Sequence, residues 1–286
     1  MRRRFSDLTW SEARRLVEEG RVSIDESPAS DPSLRLVPGQ GIVVRERPIR
    51  KHEHRSLILF EDRHLVVAEK PSGMSSVPYE RGERETLMDA VRAGWRRRGL
   101  PPAARVLHVV HRLDKETSGL LLFARTRASE RALQAQFRKR QVSRGYLCLA
   151  HGSVADRTIE SRLVANRGDG LRGSTSSRDE GKLAVTHIRV RKTFSRTTLC
   201  EARLETGRTH QIRIQLAESG HPVVGERVYI RDFVARGGAP IASPRLMLHA
   251  ATLAFGHPIH GGRISLESRE TPGFLALVDR FHQETM

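Results

Sequence analysis

The chain has 286 residues and carries 50 Lys and Arg against 33 Asp and Glu, a net charge of +17. That length exceeds one average domain, and the basic excess is spread along the chain, so a broad positive surface and a polyanionic partner are expected. No basic amphipathic helix with a large aromatic face speaks for a membrane, which leaves nucleic acid as the better fit.

The hydrophobic fraction is 38%, gathered in recurrent runs of strand length, which argues for a folded core over disorder. Cys148 and Cys200 each sit in an apolar run and read as reduced core thiols. The basic N-terminus has no apolar segment behind it. Neither a signal peptide nor a membrane span is expected, and the cytoplasm is the expected compartment.

Residues 8–44 read as a small unit. Thr9 and Glu12 have capping-box spacing, Ala13, Leu16 and Val17 share one helical face, and Gly20 is placed to end the helix, so the spacing predicts a helix over 11–19. Residues 21–25 alternate like a strand, and a Pro-Gly turn at 38–41 leads into a second apolar strand at 42–44. The following stretch to residue 56 has hardly any apolar residues and reads as a linker, giving a division into 1–46, a linker at 47–56, and a large domain at 57–286.

In the large domain two apolar runs flank the polar turn Glu61-Asp62-Arg63-His64, predicting a strand pair that leads into Glu69-Lys70-Pro71-Ser72-Gly73. Leu87, Val91 and Trp95 predict a helix over 86–98, whose terminal arginines suit the helix dipole. Next, Val109-Val110 and the run 120–124 bracket a polar loop containing His111, Arg112, Asp114, Thr117 and Ser118. Asp114 follows Leu113 beside Arg112, so a partly buried carboxylate near a cation is expected, a group able to act as nucleophile or base. From composition alone, a loop Asp and Thr that satisfy backbone donors is the plainer reading.

Further along, a helix is predicted over 128–140 with Leu133 and Phe137 on one face, then a strand over 142–152 carrying Tyr146. The Gly- and Ser-rich segment 167–178 reads as a flexible loop without a phosphate-loop ending, and 181–186 opens another strand. The run from Leu204 passes through Gly207, Arg208, His210 and Gln211 into Ile212, Ile214 and Leu216, a helix or a strand edge that projects Arg213 inward. Residues 231–243 look loose, and 246–258 returns to a strand. Thirteen histidines occur, but without H-E-x-x-H or paired Cys ligands no metal site is expected; His257 and His260 read as turn residues.

His111-Arg112-Leu113-Asp114 followed by Thr117-Ser118-Gly119-Leu120-Leu121 resembles the catalytic motif of the RluA-type pseudouridine synthases. A second match at long separation is Thr206-Gly207-Arg208-Thr209-His210-Gln211-Ile212-Arg213, which is similar to the family's T-G-R-x-H-Q-I-R motif. The turn at 61–62 with Lys70-Pro71 and Gly73, the G-K-x-A-x-T run from Gly181, and His221-Pro222 followed by Gly225 agree with it; Glu226 stands where the family usually has Asp. Residues 8–44 resemble the S-four-type RNA-binding domain, with Asp25-Glu26 and Gln40 departing from its usual turn residues.

The resemblance implies an α+β fold with a mixed, mostly antiparallel sheet and a small α/β RNA-binding domain at the N-terminus. It implies an RNA pseudouridine synthase that works without a cofactor, with Asp114 as the catalytic residue, Tyr146 packing near it and the target base, and Arg213 pairing with the carboxylate. RNA contacts are expected from Lys70, Arg112, Thr117, Arg208, His210 and Gln211, and from Arg14, Arg15 and Arg21 of the small domain. The S-four-type domain favours large-subunit ribosomal RNA, with transfer RNA as the alternative substrate, no membrane partner, and a monomer. A non-catalytic RNA-binding or ribosome-assembly factor on the same fold is the rival reading.

Overall fold

The computed structural model describes residues 9–24, 27–29, 32, 41–45, 57–80, 82–269 and 271–284. The chain separates into two compact units, Met1–Ser56 and Leu57–Met286.

In the first unit, helix α1 spans Trp10–Glu18, and both halves of the Thr9/Glu12 capping box are formed. Strand β1 (Val22–Ile24) pairs antiparallel with β2 (Ser27–Pro28) and with β3 (Ile42–Val44). Leu16 and Val17 of the helix pack on Val22, Ile24 and Ala29, which makes a core of a few side chains only. Arg14 and Arg15 are exposed and reach Glu18 and Glu19 along the helix, while Arg21 donates to the Arg45 carbonyl. The turns expected at 25–26 and 38–40 and the linker at 47–56 lie outside the described residues.

The second unit is built on an eleven-stranded sheet. Its first half comprises β4 (Ile58–Glu61), β5 (Leu65–Lys70), β6 (His108–Val109), β7 (Ser118–Ala124) and β8 (Ser143–His151). The second half comprises β9 (Arg157–Val164), β10 (Gly173–Thr175), β11 (Lys182–Thr193), β12 (Thr197–Leu204), β13 (Leu248–Gly256) and β14 (Arg263–Glu267). The spatial order is β10-β9-β11-β12-β8-β13-β7-β5-β4, with β14 added to β13 and β6 to β7. Every pairing is antiparallel except the short parallel contact of β13 with β7, so the sheet is mixed and mostly antiparallel. The segment 167–178, expected as a loop, contributes β10, because Gly173 to Thr175 find the free edge of β9.

Strands β5 and β7 are buried along their whole length, which is why they read as unbroken apolar runs. Alternation divides them between two cores. Val66, Ala68, Leu121 and Phe123 face one side, and Leu65, Val67, Leu120, Leu122 and Ala124 the other.

On the first side lie α2 (Leu87–Arg97), α4 (Gln211–Glu218) and α6 (Thr271–Glu284), inserting Trp95, Leu216 and Phe274; on the second lies α3 (Arg127–Arg138), inserting Leu133. A short helix α5 (Arg231–Ala235) occupies part of the stretch expected to be loose. Cys148 and Cys200 are buried free thiols facing each other across β8 and β12.

Candidate active site

The Asp114 loop leaves β6, and the strand that follows it, β7, is fixed by the core. Between them the loop is pinned from below by one preceding segment. Lys70, at the end of β5, is 1% exposed, and its ammonium donates to the carbonyls of Pro71, Met74 and Lys115 at 2.9, 2.7 and 2.8 Å. Ser72 Oγ donates to the Glu116 carbonyl, the Gly73 amide to that of Lys115, and Ser76 Oγ both donates to the Leu113 carbonyl and accepts from its amide.

Burial brings the Lys70 pKa down to about 7, with Glu116 opposing the shift. Lys70 was expected to touch RNA. The structure corrects this: the Lys70 ammonium is spent on backbone carbonyls inside the protein and positions the Asp114 loop.

His111 anchors the other end of the loop. Its Nε2 accepts the Leu122 amide of β7 at 3.1 Å, and its ring lies against Phe137. Burial, with Arg144 adding to it, lowers its pKa to about 3, so the ring is neutral, as an Nε2 acceptor must be.

The loop forms one wall of an open cleft of about 1250 Å³. Arg112, Asp114, Thr117, Tyr146, Arg208, His210 and Arg213 all border it, together with Arg144 and Phe137. Asp114 Oδ2 faces Arg213 Nη1 at 3.9 Å, and Oδ1 faces His210 Nε2 at 4.0 Å, both beyond hydrogen-bond length.

Arg213 is held chiefly by another carboxylate. Its Nε and Nη2 donate to Glu226 Oε2 and Oε1, both at 2.7 Å, in a fork that leaves Nη1 for Asp114. Glu226 has no exposed side-chain surface and also accepts the amides of Arg227 and Val228. Burial works against both charges, but the pair outweighs it: Arg213 is raised and Glu226 lowered.

Tyr229 lies behind these residues, with its ring beneath the Arg213 guanidinium and its hydroxyl 2.6 Å from His210 Nδ1. Burial holds His210 below the ordinary imidazole range, with Asp114 opposing. His210 adopts the left-handed conformation, φ 57° and ψ 21°, immediately before α4, and this aims its ring at the cleft.

Tyr146 is 7% exposed in β8, and burial raises its hydroxyl pKa, with Asp114 adding to the shift. Two residues earlier, on the same face of the strand, Arg144 also borders the cleft. Its Nη2 donates to the Thr206 carbonyl at 3.1 Å, and its Nε is buried without a partner among the described residues. Gly207 sits against it: a Cβ there would fall 2.4 Å from Arg144 Nη1, which gives the Gly of the T-G-R run a steric reason.

Two further expectations need correction or qualification. Gln211 is 2% exposed, its Oε1 accepts from Thr206 Oγ1 and the Arg208 amide, and its Nε2 donates to the Val185 carbonyl and Thr186 Oγ1. With both ends engaged, it has nothing left for RNA and instead ties α4 to β11. Thr117 borders the cleft but is 2% exposed, and its amide closes the loop on the Asp114 carbonyl.

Arg144, Glu226 and Tyr229 are the site residues that sequence reasoning passed over. The i, i+2 relation of Arg144 to Tyr146 was the available signal. Among the described residues no three His, Cys, Asp or Glu side chains converge as metal ligands would.

Residues 64–218 match the family model for RNA pseudouridylate synthase, and residues 2–42 match that for the S4 domain, the S-four type expected above. The ribosomal large subunit pseudouridine synthase C of Yersinia pestis is 33% identical over 272 residues, covering 89% of this chain and 82% of that protein. The ribosomal large subunit pseudouridine synthase D of Xylella fastidiosa is 42% identical over 173 residues, or 60% of this chain; the chain spans about half of it, 51%.

Among solved structures, human RNA pseudouridylate synthase domain containing 1 superposes with a TM-score of 0.61 at 22% identity, covering 79% of this chain and 94% of that one, a likeness of fold. The chain belongs to the RNA pseudouridylate synthase family.

Proposed function

We propose that this protein is an RNA pseudouridine synthase acting on large-subunit ribosomal RNA, as a cytoplasmic monomer, with Asp114 as the catalytic carboxylate. The observation that carries the reading is the Asp114 carboxylate presented to an open cleft opposite the one Arg213 nitrogen that the Glu226 fork leaves over. The names of the relatives support the ribosomal substrate.

The reaction breaks the bond from uracil N1 to ribose C1′, turns the base, and joins C5 to C1′; the C5 proton is released and N1 takes one up, so the product is an isomer. No electrons are gained or lost. The target uridine must leave its stack, at about a few kcal/mol, and the Tyr146 ring together with the arginines of the cleft would offset that cost. Arg213 would orient Asp114 for attack, and the apolar wall formed by Leu113, Phe137 and Leu248 would keep water from the detached base.

Because the C5 hydrogen leaves, tritium release from C5-labelled uridine counts turnovers. Purified protein should release tritium from large-subunit ribosomal RNA transcripts and not from transfer RNA transcripts. Release from transfer RNA alone would reassign the substrate, and release from neither would leave the binding-factor reading.

A further inference from the structure

Beside the Asp114 cleft, a second groove of about 930 Å³ crosses the strands β9, β11 and β12. Arg140, Leu204 and Glu205 border both hollows, so the groove continues the cleft and does not stand apart from it. Four exposed arginines line it: Arg157 of β9, Arg189 of β11, Arg203 of β12 and Arg263 of β14. None of the four has a carboxylate within salt-bridge distance among the described residues.

The acids of the groove are already engaged. Glu201 pairs with Arg191 at 3.1 Å, Glu205 with Arg140 at 3.2 Å and with His187 at 2.7 Å, and Asp156 accepts the Val190 amide at 2.6 Å. Register sets His187 opposite Arg203 and Arg189 opposite Glu201, so Arg189 and Arg203 are diagonal neighbours, and Glu201 beside them is taken by Arg191. A face that gathers exposed arginines whose neighbouring acids are already engaged is matched to a polyanion laid across it.

The lining contains no Phe, Tyr or Trp on which splayed bases could stack, which points to phosphate contact and to a paired strand. We propose that this groove tracks the sugar-phosphate backbone of the duplex arm that carries the target uridine into the Asp114 cleft. The inference rests on the reading that the cleft takes RNA, and it makes the arm, not the base sequence, the feature recognised here.

The test uses the full chain and a variant carrying Arg157→Gln, Arg189→Gln, Arg203→Gln and Arg263→Gln. Binding is measured for a labelled RNA hairpin with a uridine loop, and for the same loop sequence as a short single strand, between about 50 and 200 mM salt.

For the hairpin, the variant should bind at least tenfold more weakly, and its log affinity against log salt should be shallower by about three, since each lost phosphate contact removes about 0.7–0.9. For the single strand the affinity should change less than twofold. Should the fourfold variant fail to fold, Arg189→Gln with Arg203→Gln should give about half the change in slope.

Unchanged hairpin affinity and slope would overturn the proposal. So would equal weakening for hairpin and single strand, which is the signature of diffuse charge. Absence of turnover by the wild-type protein would count against the catalytic reading alone, since the binding comparison does not depend on it.

Discussion

At the scale of single residues, the site is a carboxylate whose surroundings are fixed by side chains that never meet substrate. Lys70 is the clearest case. Lys70→Met removes three ammonium donors from buried carbonyls and should cost about 3 kcal/mol or more, measured by urea unfolding, and should lower turnover because the Asp114 loop is no longer pinned. A variant as stable as wild type would show that the three bonds do not hold the loop.

Glu226 acts one step further back. Glu226→Gln keeps the shape but leaves the buried Arg213 without its anion, so stability should fall by about 3 kcal/mol. The same substitution should lower kcat by at least tenfold while KM stays within about threefold, the split expected when a group that orients Asp114 is loosened. A fall in KM-related binding with kcat intact would place Glu226 outside the orientation of the site.

At the scale of elements, what was legible in the sequence tracks how one-sided each element is. Helices α1, α2 and α3 each have one buried face, so apolar spacing, with a capping box for α1, predicts them to within two residues. Helix α4 could be read either as a helix or as a strand edge because all but its last residue are buried, which erases the period that distinguishes the two. Strands β10 and β14 are short edge additions, each paired with the strand just before it, β9 and β13, and their half-exposed residues carry too little apolar pattern to announce them.

The same limit applies to the site. Motif resemblance brings Asp114, Tyr146 and Arg213 to notice, but it does not report burial, so it offers Lys70 and Gln211 as RNA contacts. It also does not report which anion tertiary packing sets against Arg213.

Two glycines give contrasting tests of how elements meet. Gly119 has φ +111°, and a Cβ would lie 2.2 Å from the Ala250 carbonyl oxygen, so Gly119→Ala should part β7 from β13 and cost at least about 2 kcal/mol by thermal or urea unfolding. At Gly207 the obstacle is the flexible end of Arg144. Gly207→Ala should therefore leave stability within about 1 kcal/mol while lowering turnover, because it moves Arg144 out of its place in the cleft. Equal loss of stability in both variants would contradict this distinction.

At the scale of the whole molecule, burial keeps His249 of β13 and His111 at the head of the Asp114 loop neutral, and it also lowers His151 of β8 and His210. His249 is 1% exposed, with Ser118 Oγ at 2.7 Å from Nδ1, and burial with Arg245 nearby lowers its pKa to about 3, as burial and Arg144 do for His111. In the unfolded chain both titrate near 6.5, so below that pH the unfolded state takes up protons that the folded state refuses.

The stability they contribute is fully present above pH 6.5 and is lost as the pH falls toward 3. At pH 5.5 each should cost about 1.4 kcal/mol relative to neutral pH. Urea melts at pH 7.5 and 5.5 should show the loss, and His249→Asn should remove about 1.4 kcal/mol of it; a flat profile in the wild type would mean that these rings take up protons in the folded protein.

The account as a whole rests on Asp114. The most direct measurement is a map of pseudouridine in ribosomal and transfer RNA from cells making the wild-type protein and cells making Asp114→Ala, with folding of the variant checked by its melting curve. Loss of one or more specific large-subunit ribosomal sites in the variant, with the rest of the map unchanged, is the predicted result. Identical maps from a folded Asp114→Ala protein would contradict it, and would leave a chain that binds RNA in this cleft without transforming it.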